Sequence, residues 1–196
     1  SVVARGTGTL NISGSAAAEF GGSVTLGTGI AQSIGTINLT GGSLAVGGSV
    51  TGGAGTSTVN VDGGTMTVGG DLSVDTINFS GGTLAAQSIG GVGADALNWT
   101  DGTLRMGTFG TAASPFNLVQ DGGTLAPGNS PGMTSVFGDY TMNAGVLEIE
   151  INGLDQGDQG LVGNAGDGMG YDFVMVDGNA TLAGSLNVLL LDGFLP

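Results

Sequence analysis

The stretch VNVDGGTMTV, residues 59 to 68, sets Val59 and Val61 two apart, inserts Asp-Gly-Gly, then sets Met66 and Val68 two apart again. Period two is the period of a β-strand, so these four side chains share one face and Asn60, Thr65 and Thr67 share the other. The glycines between the runs supply the positive φ that a corner needs. The same pattern recurs on both sides, as INLTGGSLAV (37–46), INFSGGTLAA (77–86), LNWTDGTLRM (97–106) and FNLVQDGGTLAP (116–127), after a weaker copy LNISGSAA (10–17). Asn38, Asn60, Asn78, Asn98 and Asn117 mark the copies at nearly even intervals.

Repeats of about 20 residues built from short strands and glycine corners predict an all-β chain, a parallel β-helix or β-solenoid with one rung per repeat. Rungs stack at the ~4.8 Å spacing of paired strands, so nine or ten would make a rod about 45 Å long. Equivalent residues then form columns: aliphatic and aromatic side chains inside, and a ladder of amide hydrogen bonds from the five asparagines outside. Alternation points Trp99 inward, as core rather than as a sugar platform. A β-sandwich, or a hairpin ladder using Gly-Gly as its loop, could be written with similar strands. The near-constant spacing argues against both.

Composition closes off whole classes of chemistry. The chain has 196 residues, 43 of them glycine, with 40% hydrophobic and 9% charged residues; recurring Val, Leu and Ile exclude a disordered linker. Sixteen acids face only Arg5 and Arg105, for a net charge of -14. Phosphate contacts need clustered cations, so nucleic acid is excluded as a partner, and an anionic membrane surface would repel the chain. Five acids lie in residues 1–98 and eleven in 99–196. Without cysteine or histidine there is no thiol nucleophile, Ser-His-Asp triad, zinc site or haem ligation through those residues. No apolar run is long enough to span a bilayer, so no membrane insertion is expected. Ser1 falls in mid-repeat, which predicts a piece of a longer protein.

From residue 122 the pattern changes. GGTLAPGNSPGM (122–133) places Pro127 and Pro131 among glycines. Neither proline can donate to a ladder and both fix φ, so the run reads as a rigid corner between rungs. A phosphate loop would need P-loop spacing, a lysine and a following helix. After it come GDY (138–140), LEIEI (147–151), YD (171–172) and a closing pair of strands ending in GFLP (193–196). This order resembles a segment of autotransporter passenger proteins and related bacterial surface proteins with β-helical repeats. The resemblance runs from Gly122 to Pro196, and the earlier repeats match only generically. It implies a right-handed parallel β-helix, exported and displayed or released outside the cell, with more chain beyond Pro196. The expected organisation is a repeat region (1–112) and a continuing segment (113–196) with a Gly/Asp-rich loop at 152–170, together one solenoid.

Three chemical readings remain. Glu148 and Glu150 share a strand face opposite Leu147, Ile149 and Ile151, about 6–7 Å apart, a separation that glycosidase carboxylates use. The plainer reading is a solvated outer face, because no aromatic-lined cleft or basic patch accompanies them. Asp155, Asp158, Asn164, Asp167 and Asp172 could offer oxygen ligands to calcium, but they lack the repeating calcium nonapeptide, and no cofactor is required. Ice binding would need Thr-x-Thr rows, and only TMT at 65–67 has the pair. The expected function is therefore an exported structural or adhesive surface protein or fibre subunit, extracellular or on a bacterial cell surface, and not an enzyme. A carbohydrate-active or sugar-binding module on the same scaffold is the alternative. The partners expected are further copies stacked end to end, and a host-surface or matrix polysaccharide.

Overall fold

The computed structural model describes residues 6–90, 96–128, 131–154 and 170–195. The chain is all-β, with no helix among the described residues. The first half contains β1 (Thr7–Ile12), β2 (Ala17–Phe20), β3 (Val24–Leu26), β4 (Ile34–Val46), β5 (Val50–Gly52), β6 (Thr56–Ser73), β7 (Thr76–Ile89) and β8 (Leu97–Thr111). Shorter pieces follow: β9 (Ser114–Pro115), β10 (Leu118–Gln120), β11 (Thr124–Leu125), β12 (Met133–Val136), β13 (Tyr140–Met142), β14 (Val146–Ile151), β15 (Phe173–Val176), β16 (Ala180–Leu182) and β17 (Ser185–Leu190). The main sheet runs β1-β4-β6-β7-β8-β11-β14-β17, and a small one runs β10-β13-β16. Pairing between copies is parallel; β8 with β9 is the antiparallel strand pair among the described strands. Gly-Gly is thus a bend within a long strand, not the tip of a hairpin.

Parallel register puts like on like. Ile12, Leu39, Val61, Phe79 and Trp99 form one column, and Leu44, Met66, Leu84, Leu104, Leu125 and Leu147 another. All except the partly covered Leu147 are buried, and the Phe79 and Trp99 rings stack with centroids 6.4 Å apart. Each buried aliphatic or aromatic side chain contributes about 1.5–3 kcal/mol, so the columns supply the main driving force. The bend has its own column. Gly64 has φ +76°, and a Cβ there would lie 2.5 Å from the Gly42 carbonyl oxygen. Backbone conformation and neighbouring backbone therefore both demand glycine.

After β8 the register slips. Thr103 pairs with Thr124 and Leu104 with Leu125, so Gly-Thr-Leu of the new copy lies directly over that of the old one. Asn98, however, precedes Thr103 by five positions, whereas Asn117 precedes Thr124 by seven. Two extra residues thus separate Asn117 from its Gly-Thr-Leu, and the packed Gly-Thr-Leu keeps its place. Val119 consequently falls where Asn98 stood, and Gln120 where Trp99 stood. Among the described residues, ten register pairs join β7 to β8 and four join β8 to β11 and β12. The last copy is longer: Leu125 pairs with Leu147, and Leu147 with Leu186, nearly twice as far along the chain. The excess leaves after Ile151, which bridges Tyr171 antiparallel, and Asn152 N donates to Gly170 O at 2.6 Å across the base.

Candidate functional site

The asparagines of the early copies stack side chain on side chain. Asn38 Nδ2 donates to Asn11 Oδ1 (2.7 Å), Asn60 to Asn38 (2.7 Å), Asn78 to Asn60 (2.7 Å) and Asn98 to Asn78 (2.9 Å). All four bonds point the same way, so their dipoles add. Asn11, from the weak first copy, belongs to this column. Replacing Asn60 with alanine strips a donor from Asn38 and an acceptor from Asn78, and is expected to cost about 1–2 kcal/mol in thermal denaturation. An unchanged midpoint would mean that the ladder adds nothing.

Asn117 does not join that ladder, because the two-residue slip removes it from the column. Instead Asn117 Oδ1 accepts the Asp139 backbone N–H (2.9 Å), and Asp139 Oδ1 accepts that of Asn179 (2.8 Å). This repeats an earlier corner column in which Ser23 Oγ accepts Ser49 N and Ser49 Oγ accepts Asp71 N, both at 3.1 Å. Gln120, moved inward by the slip, is fully buried. It accepts from the Tyr140 hydroxyl at 2.6 Å and donates to the Gly123 and Val146 carbonyls at 3.1 and 3.2 Å. Burial raises the Tyr140 pKa to about 12, keeping the phenol a donor at all ordinary pH. Trp99 is core, and its indole Nε1 is buried without a partner.

The proline corner is where three distant motifs meet. β11 stops at Leu125 and β12 starts at Met133; Pro127, Gly128, Pro131 and Gly132 between them are buried. Asp172, from the Tyr-Asp motif, reaches this corner. Its Oδ1 accepts Gly132 N (2.6 Å) and its Oδ2 accepts Glu150 N (2.8 Å), while its own N–H donates to Glu150 O (2.8 Å). One carboxylate thus clamps the Pro131–Gly132 turn and the acidic-apolar strand together.

Burial raises the Asp172 pKa to about 6; the Glu150 charge adds to the rise, and the two backbone donors and Arg105 oppose it. A carboxyl whose folded pKa exceeds its unfolded value stabilises the fold fully below that unfolded value, near 3.8, and the contribution is lost as pH rises through about 6. The melting temperature is expected to be higher near pH 5 than near pH 7.5, with a smaller difference in Asp172→Asn.

The carboxylate pair of the LEIEI strand is split by its surroundings. Glu150 is 8% exposed, and its Oε2 is buried with no hydrogen bond, in contrast to the solvated face that alternation suggests. Glu148 is half-buried, and its Oε2 accepts from Asn187 Nδ2 at 3.1 Å. The two carboxylates of this strand thus sit in different surroundings. Of the calcium candidates, Asp155, Asp158, Asn164 and Asp167 lie outside the described residues, and both oxygens of Asp172 are engaged by backbone N–H groups. No cluster of three or more acidic metal-ligand residues occurs among the described residues. No helix among them is long and apolar enough to cross a membrane. Compared with known proteins, the chain matches no family model, no curated protein and no solved structure.

Proposed function

We propose that the chain is a stretch of right-handed parallel β-helix with rungs of about 20 residues, serving outside the cell or on a bacterial surface as a structural or adhesive element without catalysis. The observation that carries this reading is the parallel register of equivalent residues from β1 to β17, including the unidirectional asparagine ladder. Stacked copies gain length at a fixed cost per copy, the property a stalk or fibre needs. The likeness of the proline corner, the acidic strand and the Tyr-Asp pair to autotransporter passenger segments supports the exported setting.

The last strand supports end-to-end association. Leu186, Val188 and Leu190 on β17 are about half exposed or more, and Phe20 and Ile34 are exposed near the opposite end. Extending the columns would place Leu186 and Val188 of one copy against Ala18 and Phe20 of the next. Electron microscopy over a concentration series is expected to show rods that lengthen, with a ~4.8 Å axial repeat in fibre diffraction. Leu186→Asp with Val188→Asp is expected to leave short particles. Globular particles without the axial repeat would overturn the solenoid. Polysaccharide turnover that falls in Glu148→Gln or Glu150→Gln would overturn the non-catalytic role.

A further inference from the structure

One copy breaks the pattern of the bends. Ser43, Thr65, Thr83, Thr103 and Thr124 pair in register, and two places before them stand Gly41, Gly63, Gly81, Asp101 and Gly122. Asp101 thus occupies a place that glycine holds in the other four. It is exposed, and its carboxylate turns onto its own chain: Oδ1 accepts the N–H of Gly102, the next residue, at 2.7 Å. Glycine is required there, since a Cβ on Gly102 would lie 2.6 Å from the Phe79 ring. An amide without a flanking side chain therefore lies against the carboxyl group of the preceding aspartate, with the carboxyl carbon one bond behind the contacting oxygen. That approaches a near-attack arrangement, in which reacting atoms lie about 3–3.5 Å apart.

The other Asp-Gly pairs among the described residues are held differently. Asp62 Oδ1 accepts from Ser80 Oγ of the next copy (2.6 Å), Asp121 Oδ1 from Asn143 Nδ2 (2.8 Å) and Asp192 Oδ2 from Asn152 Nδ2 (3.1 Å). After Asp177, it is the amide that is engaged, since Gly178 N donates to Gly138 O at 2.9 Å. Rung-to-rung bonds thus tie up one reacting group or the other in each of these pairs, whereas at Asp101 the two groups face each other.

We propose that Asp101 is a self-modification site, at which the Gly102 amide converts the aspartyl linkage to isoaspartyl. The Gly102 nitrogen bonds to the side-chain carbon of the protonated acid, and the carboxyl hydroxyl leaves with the amide proton as water, closing a five-membered succinimide. Water then adds to the main-chain carbonyl of the ring and breaks its bond to nitrogen, so that the chain runs on through the former side chain at unchanged total mass. No enzyme or cofactor is needed. The product carries one extra backbone atom directly before Thr103 and Leu104, which pair with Thr83 and Leu84 on one side and with Thr124 and Leu125 on the other. Modification therefore falls where β8 hands its register to the later copies.

The intact protein, held near pH 5 below its melting temperature and sampled over weeks, tests this by peptide mapping with fragmentation that tells aspartate from isoaspartate. Isoaspartate is expected to accumulate at Asp101 several-fold faster than at Asp62 or Asp121. In urea the three sites, each followed by glycine, are expected to react at similar rates. Asp101→Gly, which restores the residue of the other copies, is expected to keep its melting temperature on ageing while that of the wild-type protein falls. Asp101 reacting no faster than Asp62 and Asp121 in the folded chain would overturn the site. An unchanged ranking in urea would also overturn it, by showing that local sequence and not the folded geometry sets the rate.

Discussion

Asp172→Ala is expected to lower stability by about 3 kcal/mol or more, the largest loss we anticipate from a single side chain outside the aliphatic columns. The Gly132 and Glu150 amides donate to this carboxylate at 2.6 and 2.8 Å, and both residues are buried. Alanine leaves two buried donors unsatisfied, at about 1–3 kcal/mol each. In a chain of this length that corresponds to a melting temperature lower by about 6–12 °C. Asp172→Asn retains one acceptor but turns an amide N–H₂ toward the other donor, so it should fall between wild type and alanine. Chemical denaturation checks all three proteins. A midpoint for the alanine variant equal to wild type would show that the corner holds without its clamp.

Gly82→Ala should be nearly as costly, about 3 kcal/mol, for a different reason. Its φ of +80° costs an L-residue roughly 1–2 kcal/mol, and the new Cβ would overlap the Gly64 carbonyl oxygen in the bend column. That oxygen belongs to a stacked backbone and cannot swing aside as a side-chain tip could. Gly22→Ala makes the contrast, since nothing lies within 4 Å of a Cβ there and φ is ordinary; the change should stay within about 0.5 kcal/mol. Equal stability of the two variants would refute stacking of the bends.

The parallel pairing is readable from residues 37 to 106 because each copy carries three independent marks of register: the asparagine, the glycine bend and the alternating apolar pairs. Where those marks disagree, as in FNLVQDGGTLAP, alignment by asparagine misleads. The Gly-Thr-Leu part packs against Leu104 and keeps register, while the exposed Asn117 leaves the ladder and bonds the Asp139 amide instead. Gln120 is visible as an oddity, a polar residue at the position of Phe79 and Trp99, once the slip is allowed. Glu150 shows a second limit. Alternation assigns a side chain to a face, but not what lies against the strand, and here Asp172, whose carboxylate accepts the Glu150 amide, arrives from 22 residues away. Asp172 is legible as an oxygen donor set beside a long insertion, yet its partners are backbone amides, which no sequence pattern announces.

The thinning of pairs between β8 and the copies after it has a thermodynamic corollary. A stack of repeats unfolds as one unit only while each interface is stronger than the repeats are weak. With ten register pairs on one side of β8 and four on the other among the described residues, a boundary between two units of cooperativity is expected there. Amide hydrogens of β6 and β7 should exchange with solvent only through global opening, whereas those of β10, β13 and β16 should exchange earlier and together. The two extra residues after Asn117 thereby set how far a disturbance at one end can travel before it is stopped.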